Sequence, residues 1–284
     1  MNWILAVLCL LITQGCAWFQ GRALPPPAPP LTVLVGPVTL DAPVTSPSDL
    51  YTFQQRPSSE VALQLLGQLI EEVEVTGQRL FTEQLGRQPG FVVVPFAEAR
   101  RLQTNQSLRG HPLDTAAMRA LGEEAHADVV ITGRIVDYGV VRWQYWVPGL
   151  LLSMMTETLI VGAATGFNPG LMAAAAGSEL LTDVPFWWGG AYVAGWAFRP
   201  VRVKAEALEV QGCVEKPWTE EALVMLVPGR TLREFPPDER RRKEVQLTVN
   251  LSRAVTKIAD GAGRELRLAR CAEPEPASHE SVTS

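Results

Sequence analysis

The sequence predicts an α/β protein of layered α+β type, in which a mixed sheet is covered by helices and a hydrophobic helical insertion lies between core strands. The layers are predicted because short β-branched runs alternate along the chain with segments whose apolar residues recur every three or four positions. The insertion is predicted because residues 140–200 are rich in apolar side chains and nearly free of charge.

Five strands and four helices account for most of the chain after residue 30. Strands are predicted at 31–38, 91–96, 128–139, 202–210 and 222–227, where Val, Ile and Leu predominate. Helices are predicted at 58–87, from residue 97, at 114–126 and at 238–258, where apolar residues recur at helical spacing. Gly36-Pro37 is expected to end the first strand, and the first helix is expected to bend near 75–77.

Two stretches carry a recognisable pattern, FTEQLGRQPGFVVVPF at 81–96 and MRALGEEAHADVVITGRIVDY at 118–138. A helix ends in G-x-x-x-G, a strand reads F-x-V-V, and a second helix closes on A-D-x-x-x-x-G-x-I. The residues are Gly86 and Gly90, Phe91 to Val94, and Ala127, Asp128, Gly133 and Ile135. The pattern resembles envelope lipoproteins related to the curli-secretion component CsgG, and the N-terminal domain of TolB. This resemblance implies one α/β domain built from residues 31–139 and 201–262.

The first 30 residues have the organisation of an export signal followed by a tether. Residues 4–12 are almost all apolar, which suits a secretory signal and falls short of the roughly 20 residues that span a bilayer. Gly15-Cys16 resembles the lipobox of bacterial lipoproteins, which implies removal of residues 1–15 and acylation of Cys16. The alternatives are an ordinary cleaved signal or a short buried segment. Residues 16–30 are a Pro-rich, extended tether.

The insertion at 140–200 has the composition of a buried or interfacial segment. Helices are predicted at 150–164 and 171–181, with a break at 166–170, and both are too short to cross a membrane independently. Aromatic residues flank them, and such side chains favour interfaces. The residues expected to make membrane or oligomer contact are Trp143, Trp146, Leu151, Leu152, Leu159, Trp187, Trp188 and Trp196.

Two interpretations of the insertion remain open at the level of sequence. It is a helical hairpin that dips into a leaflet or packs against a copy of itself, or it folds back as extra core. Glu157 is the charge whose burial would be costly without a partner. It is expected to hold helices together rather than to act in catalysis.

The four cysteines are Cys9, Cys16, Cys213 and Cys271. Cys9 lies in the leader and Cys16 in the lipobox-like motif, so export would leave Cys213 and Cys271 as candidates for a disulfide. The sequence leaves open whether these two approach each other. Residues 263–284 are polar and are expected to form a flexible tail.

Motifs for catalysis and metal binding are missing from the sequence. His111, His126 and His279 are scattered without metal-ligand spacing, and no G-x-S-x-G elbow, phosphate loop or Cys-x-x-Cys occurs. The formal net charge of -5 argues against a nucleic-acid partner. We therefore expect a protein that is not an enzyme and that has no cofactor and no metal, although a site can assemble from residues that no motif links.

These features predict a lipoprotein of the cell envelope. Ala17 follows the cysteine, which by resemblance to enterobacterial lipoproteins implies the outer membrane, with the domain facing the periplasm. The expected partners are membrane lipid through acylated Cys16, identical subunits and envelope proteins. The expected role is non-catalytic, in envelope assembly, transport or secretion, through oligomerisation or membrane contact. The alternative is a monomeric periplasmic binding or scaffolding lipoprotein with the insertion packed as core.

Overall fold

The fold is a five-stranded mixed sheet with helices on both faces, which confirms the predicted layered class. The structure is a computed structural model that describes residues 29–53, 55, 57–108, 112–188, 199–211, 217–227 and 229–266, without the side chains of Phe186 and Trp187. The strands are β1 (Leu31–Leu40), β2 (Phe91–Val93), β3 (Val129–Tyr138), β4 (Val201–Glu209) and β5 (Trp218–Val224). Their order is β2-β1-β3-β4-β5. β1 is parallel to β2 and β3, whereas β3, β4 and β5 are antiparallel neighbours.

The helices form two layers, one on each face of this sheet. They are α1 (Pro47–Leu50), α2 (Ser59–Gly86), α3 (Phe96–Asn105), α4 (Thr115–Glu124), α5 (Trp143–Ala164), α6 (Pro169–Trp188), α7 (Gly229–Leu232) and α8 (Lys243–Glu265). The alternation of β1 separates the layers: Val33 and Val35 join the core beneath α2 and α8, while Leu34 joins the core beneath α3 and α4. The sheet is therefore buried from both sides at this end.

α2 packs closely on the sheet because glycines remove the side chains from the contact. It is one uninterrupted helix of 28 residues across the stretch where the sequence suggests a bend. A Cβ on Gly77 would lie 3.0 Å from Val38 Cγ1, and a Cβ on Gly133 of β3 would lie 3.0 Å from Phe81 Cε2. Gly77 thus serves packing rather than a break in the helix.

β1 continues through Gly36-Pro37 instead of ending there. Its pairing with β3 shifts between Val35 and Val38, as expected where Pro37 has no N–H to donate to the ladder. At this irregularity the carbonyl oxygen of Val35 accepts hydrogen bonds from Gln78 Nε2 at 3.0 Å and Gln103 Nε2 at 3.3 Å. Both glutamines are buried, one on α2 and one on α3, so the two helical layers share one acceptor.

Other element ends differ from the predicted ones by a few residues. β2 ends at Val93, because Pro95 occupies the N-cap of α3. β5 begins at Trp218, four residues before the predicted start, since its polar alternating half also pairs with β4. α8 begins at Lys243 rather than 238 and runs to Glu265, so three residues of the predicted tail are helical.

The predicted helical insertion is present between β3 and β4. These strands are antiparallel neighbours, a pair that a two-residue turn is able to join. Here the connection instead contains the two long helices α5 and α6. The hairpin of α5 and α6 is therefore an addition to a complete sheet rather than a part needed to build it.

Candidate functional site

The α5–α6 hairpin is the candidate functional site. α5 has 22 residues and α6 has 20, which at 1.5 Å per residue correspond to about 33 and 30 Å. Both exceed the predicted lengths because Pro148 and Pro185 lie inside the helices instead of bounding them. The prediction that neither helix is long enough to cross a membrane is wrong for α5. Among the described residues it is the one helix long and apolar enough to do so, with a mean hydropathy of 1.5.

The surface of the hairpin is apolar and exposed. Only 11% of the most apolar window of α5 is buried, whereas the core helix of a soluble protein is mostly buried. Of the fifteen large apolar side chains exposed within the described part of the chain, eleven belong to the hairpin. They are Trp143, Leu151, Leu152, Met155, Leu159, Ile160, Phe167, Leu171, Leu180, Leu181 and Trp188. An exposed apolar surface of this extent is typical of a membrane or protein contact.

The tip of the hairpin is a tight turn with two residues in left-handed backbone conformation and an asparagine cap. Gly166 and Phe167 adopt left-handed backbone angles, with φ of 64° and 60°. Asn168 Oδ1 then accepts the N–H groups of Gly170 at 3.0 Å and Leu171 at 3.3 Å, which caps the start of α6. Two backbone N–H groups at the tip are therefore hydrogen-bonded within the tip itself.

The base of the hairpin is held by a small apolar cluster. Trp146 and Leu150 of α5 are buried there, against Val184 of α6 and Met225, which follows β5. Trp146 was expected at the contact surface, but it is only 8% exposed and its ring joins the hairpin to the domain instead. The exposed neighbour Trp143 keeps the expected position at the surface.

A buried carboxylate, that of Asp137, contacts both β4 and the start of α5 near the end of β3. Asp137 is fully buried, and its Oδ2 atom lies 2.8 Å from Nε of Arg202, its partner in register on β4. Its Oδ1 atom lies 2.7 Å from Nη2 of Arg142, the N-cap residue of α5. Tyr145 Oη, in the first turn of α5, donates a hydrogen bond to the same carboxylate. Charge-assisted contacts from two elements thus orient the start of the hairpin on the sheet.

A pair of carboxyl groups lies between the two helices of the hairpin. Glu157 on α5 and Glu179 on α6 are neighbours there. Contrary to the expectation that Glu157 is the costly buried charge, Glu157 is exposed and Glu179 is the buried one, at 6% exposure. The Oε2 atom of Glu179 is buried without a hydrogen-bond partner.

The remaining predicted site residues divide between exposed positions and positions that the structure does not describe. Leu151, Leu152, Leu159 and Trp188 are exposed on the hairpin. Cys16, Cys213, Cys271, Trp196 and the side chain of Trp187 lie outside the described residues. Acylation of Cys16 and the Cys213–Cys271 disulfide therefore stay predictions.

A shallow groove lies on the domain itself, between the irregular part of β1, α2 and α3. Its volume is about 400 Å³, and its polar lining consists of Glu71, Glu74 and Arg100. Burial raises the pKa of the Glu74 carboxyl, although Oε1 accepts the N–H of Leu40 at 2.9 Å. Within the described ranges no group of three or more His, Cys, Asp or Glu side chains is placed to hold a metal ion.

The sequence interpretation misses the Asp137 cluster. The local signal was weak: an ionisable residue near the end of an apolar strand, followed by an arginine five positions later. Arg202 lies far along the chain, and only the register of β3 with β4 brings it opposite Asp137.

No protein-family model matches the sequence, and no curated protein matches it either. Solved structures with a measurable similarity include three bacterial proteins. Lipoprotein GNA1162 from Neisseria meningitidis is 12% identical with a TM-score of 0.27, over 69% of this chain and 81% of that chain. The LpoB C-terminal domain from Salmonella enterica is 9% identical with a TM-score of 0.26, over 74% and 90%. The hypothetical protein CT253 from Chlamydia trachomatis is 7% identical with a TM-score of 0.34, over 82% and 96%.

Similarities at this level carry no argument about the fold or the role of this chain. The resemblance of residues 81–96 and 118–138 to the CsgG and TolB families likewise stays a prediction from sequence.

Proposed function

We propose that this protein is a lipid-anchored, non-catalytic protein of the bacterial outer membrane, whose hairpin of α5 and α6 contacts the lipid bilayer. Its α/β domain faces the periplasm and takes part in the assembly or transport of envelope or secreted material. The observation that carries the membrane contact is the exposure of eleven large apolar side chains on the hairpin.

The size of this surface argues against a hairpin that stays in water. Fully burying a large apolar side chain gains about 1.5–3 kcal/mol, so burying the remaining exposed half of each gains roughly 1 kcal/mol. Eleven such residues together represent on the order of 10 kcal/mol, comparable to the whole stability of a typical domain. Trp143 begins α5 and Trp188 ends α6, so both lie at the base of the hairpin, and tryptophan favours a membrane–water interface.

The predicted anchor is compatible with a second contact on the same membrane. Residues 16–30 in polyproline II geometry would extend to about 45 Å at 3.1 Å per residue. Acylated Cys16 would then hold the domain within reach of the bilayer, and the hairpin would add a contact that does not depend on the acyl chains.

The alternative monomeric protein with the insertion packed as core has less support. Of α5, only Trp146, Leu150 and Gly162 are buried, and eleven large apolar side chains of the hairpin are exposed. A contact between hairpins of identical subunits remains the main competing explanation of the same surface.

The test is the behaviour of the Cys16→Ser protein, exported with a substituted cleavable signal so that no acyl chain is attached. We expect it to remain in the membrane fraction, to need detergent for extraction and to be monomeric in detergent. Recovery as a soluble monomer would contradict the proposed contact. Recovery as a soluble oligomer would favour contact between subunits, and an oligomer that still needs detergent would indicate both.

A further inference from the structure

The hairpin carries its ionisable residues in an uneven distribution. Between Trp143 and Trp188 there are three acidic residues, Glu157, Glu179 and Asp183, and no Lys, Arg or His. Residues 158–178, which form the tip half, contain no ionisable side chain at all. The tip half is thus uncharged at every pH. Entry of the base half into hydrocarbon, by contrast, would carry three carboxyl groups into the membrane.

The position of the carboxyl pair divides the hairpin by depth. Glu157 lies seven residues before the end of α5, and Glu179 lies ten residues after the start of α6. At 1.5 Å per residue, the part beyond them is about 10–15 Å long, which is at most half of a hydrocarbon core of about 30 Å. The tip half therefore fits within one leaflet, while the whole hairpin matches the full core.

The base half of the hairpin, residues 143–157 and 179–188, also exposes apolar side chains whose burial in hydrocarbon would be favourable. Leu152 and Leu181, on the base side of the pair, are among the most exposed apolar residues at 67% and 79%. However, an ionised acidic side chain at the bilayer centre costs roughly six times what one leucine gains. Full insertion is therefore unfavourable while the carboxyl groups are charged, and becomes favourable once they are neutral.

The two glutamates are neighbours of like charge. Two carboxyl groups side by side are less readily ionised together than apart, because their negative charges repel. Glu179 is buried, and its unpartnered Oε2 atom has lost contact with water. Asp183 lies one turn from Glu179 on the same helix and adds negative charge.

The hairpin supplies no cation to neutralise this group. Within the part of the chain that the structure describes, the elements packed around it are α5 and α6 themselves, which carry no basic residue between Trp143 and Trp188. The nearest arginine in sequence, Arg142, is held by Asp137 at the base. Protons are therefore the available means of neutralisation.

We propose that the hairpin is an acid-dependent membrane element: residues 158–178 enter one leaflet at neutral pH, and the base half follows only when the carboxyl groups of Glu157, Glu179 and Asp183 are neutral. This inference rests on the proposed membrane contact, and it specifies how deep that contact is and what controls it.

The test measures depth at two positions of the mature chain. In a Cys16→Ser, Cys213→Ser, Cys271→Ser background, an NBD fluorophore is attached at Leu159→Cys in the tip half or at Leu152→Cys in the base half. The protein is mixed with vesicles of phosphatidylethanolamine and phosphatidylglycerol with brominated acyl chains, which quench fluorophores in hydrocarbon. Quenching is compared at about pH 7.5 and about pH 5, a range in which carboxyl groups of perturbed environment change charge.

We expect the label at residue 159 to be quenched at both pH values, and quenching of the label at residue 152 to rise at least about twofold on acidification. The Glu157→Gln, Glu179→Gln, Asp183→Asn variant should show the deep state at both pH values. The matched control, Glu60→Gln with Glu83→Gln and Glu98→Gln, removes three exposed carboxylates from α2 and α3 and should retain the pH step.

Other results overturn the inference in distinguishable ways. Equal quenching at residue 152 at both pH values in the parent, or an unchanged pH step in the Glu157→Gln, Glu179→Gln, Asp183→Asn variant, would refute acid control while leaving the membrane contact intact. Absence of quenching at both positions and both pH values would refute the membrane contact itself, and with it the proposed function.

Discussion

Asp137 and Arg202 face each other across β3 and β4, with the carboxylate Oδ2 atom 2.8 Å from Nε of the guanidinium group. The side chain of Asp137 has no exposed surface, while Arg202 is partly exposed. Because Arg142 and Tyr145 of α5 bind the same carboxylate, this pair connects the sheet to the start of the hairpin. The stability of the domain and the orientation of the hairpin therefore depend on a common group.

Replacing Asp137 by Asn tests the role of this charge with little change of shape. The Asp137→Asn substitution would leave Arg142 without this counter-ion and Arg202 with Glu221 as its remaining acidic partner. Since both arginines are partly exposed, the expected loss of unfolding free energy is roughly 1–3 kcal/mol. Urea denaturation measures it. The control is Asp41→Asn, which breaks the more exposed Asp41–Arg134 pair and should cost less than about 1 kcal/mol. Equal losses in the two variants would show that burial of Asp137 has no special effect.

Replacing either of two helical glycines by alanine is expected to change the stability of the protein, in opposite directions at the two positions. A Cβ on Gly122 of α4 would clash with Val210 Cγ2 and lie 2.7 Å from Val130 Cγ2, so Gly122→Ala should destabilise by roughly 1–3 kcal/mol. No atom of the described residues lies within 4 Å of a Cβ added to Gly67 of α2, so Gly67→Ala should stabilise by about 0.5–1 kcal/mol. Thermal unfolding of both variants checks the signs; a stabilising Gly122→Ala would contradict the packing of α4 on the sheet.

Gln78 and Gln103 should be energetically coupled because their side-chain amides donate to the same carbonyl oxygen, that of Val35. Gln78→Met and Gln103→Met should each cost about 1 kcal/mol, because the other donor remains. The double variant should lose more than the sum, by about 0.5–1 kcal/mol. A double-mutant cycle by urea denaturation measures this term, and simple additivity would mean that the acceptor is not shared.

Glu74 makes stability depend on pH in a predictable direction. Its pKa in the folded protein is raised, chiefly by burial, so the stability that protonation provides is fully present below the unfolded pKa and is lost as pH rises through the folded pKa. Glu74→Gln keeps an oxygen that can accept from Leu40 N–H and removes the buried charge. The variant should unfold at a higher temperature than the parent at about pH 7.5, and the difference should shrink towards about pH 4.

The control for this pH dependence is Glu83→Gln, an exposed carboxylate on the same helix. It should change the unfolding temperature little at either pH. If Glu74→Gln is less stable than the parent at neutral pH, the burial of the ionised carboxyl is not the dominant effect at this position.

Prolines explain several of the differences between predicted and observed element ends. A proline restricts the backbone in every context, but whether it ends an element depends on the surrounding chain. β1 accommodates Pro37 as a shift in pairing, and α5 contains Pro148 as its sixth residue, where the missing N–H removes one helical hydrogen bond. The strand and helix order was predictable from periodicity, whereas these ends depend on tertiary contacts.

The candidate site was predictable in composition but not in its internal contacts. The lack of charge in 140–200 indicates a membrane or protein contact, and the exposure of Leu152 and Leu159 agrees with that hypothesis. The burial of Trp146 depends on Met225, which is distant in sequence, and the burial of Glu179 rather than Glu157 depends on the rotation of α6. Neither follows from local pattern.

The membrane contact of the hairpin is tested most directly by vesicle flotation of the unacylated Cys16→Ser protein. We expect the parent to float with phosphatidylethanolamine and phosphatidylglycerol vesicles. A variant with Leu159→Gln, Ile160→Gln and Leu171→Gln in the tip half of the hairpin should stay in the dense fractions, while retaining its unfolding temperature because these side chains are exposed. The matched control replaces Val61, Leu63 and Leu226, exposed apolar residues outside the hairpin, by Gln and should float. Equal flotation of the hairpin variant and its parent would contradict the account.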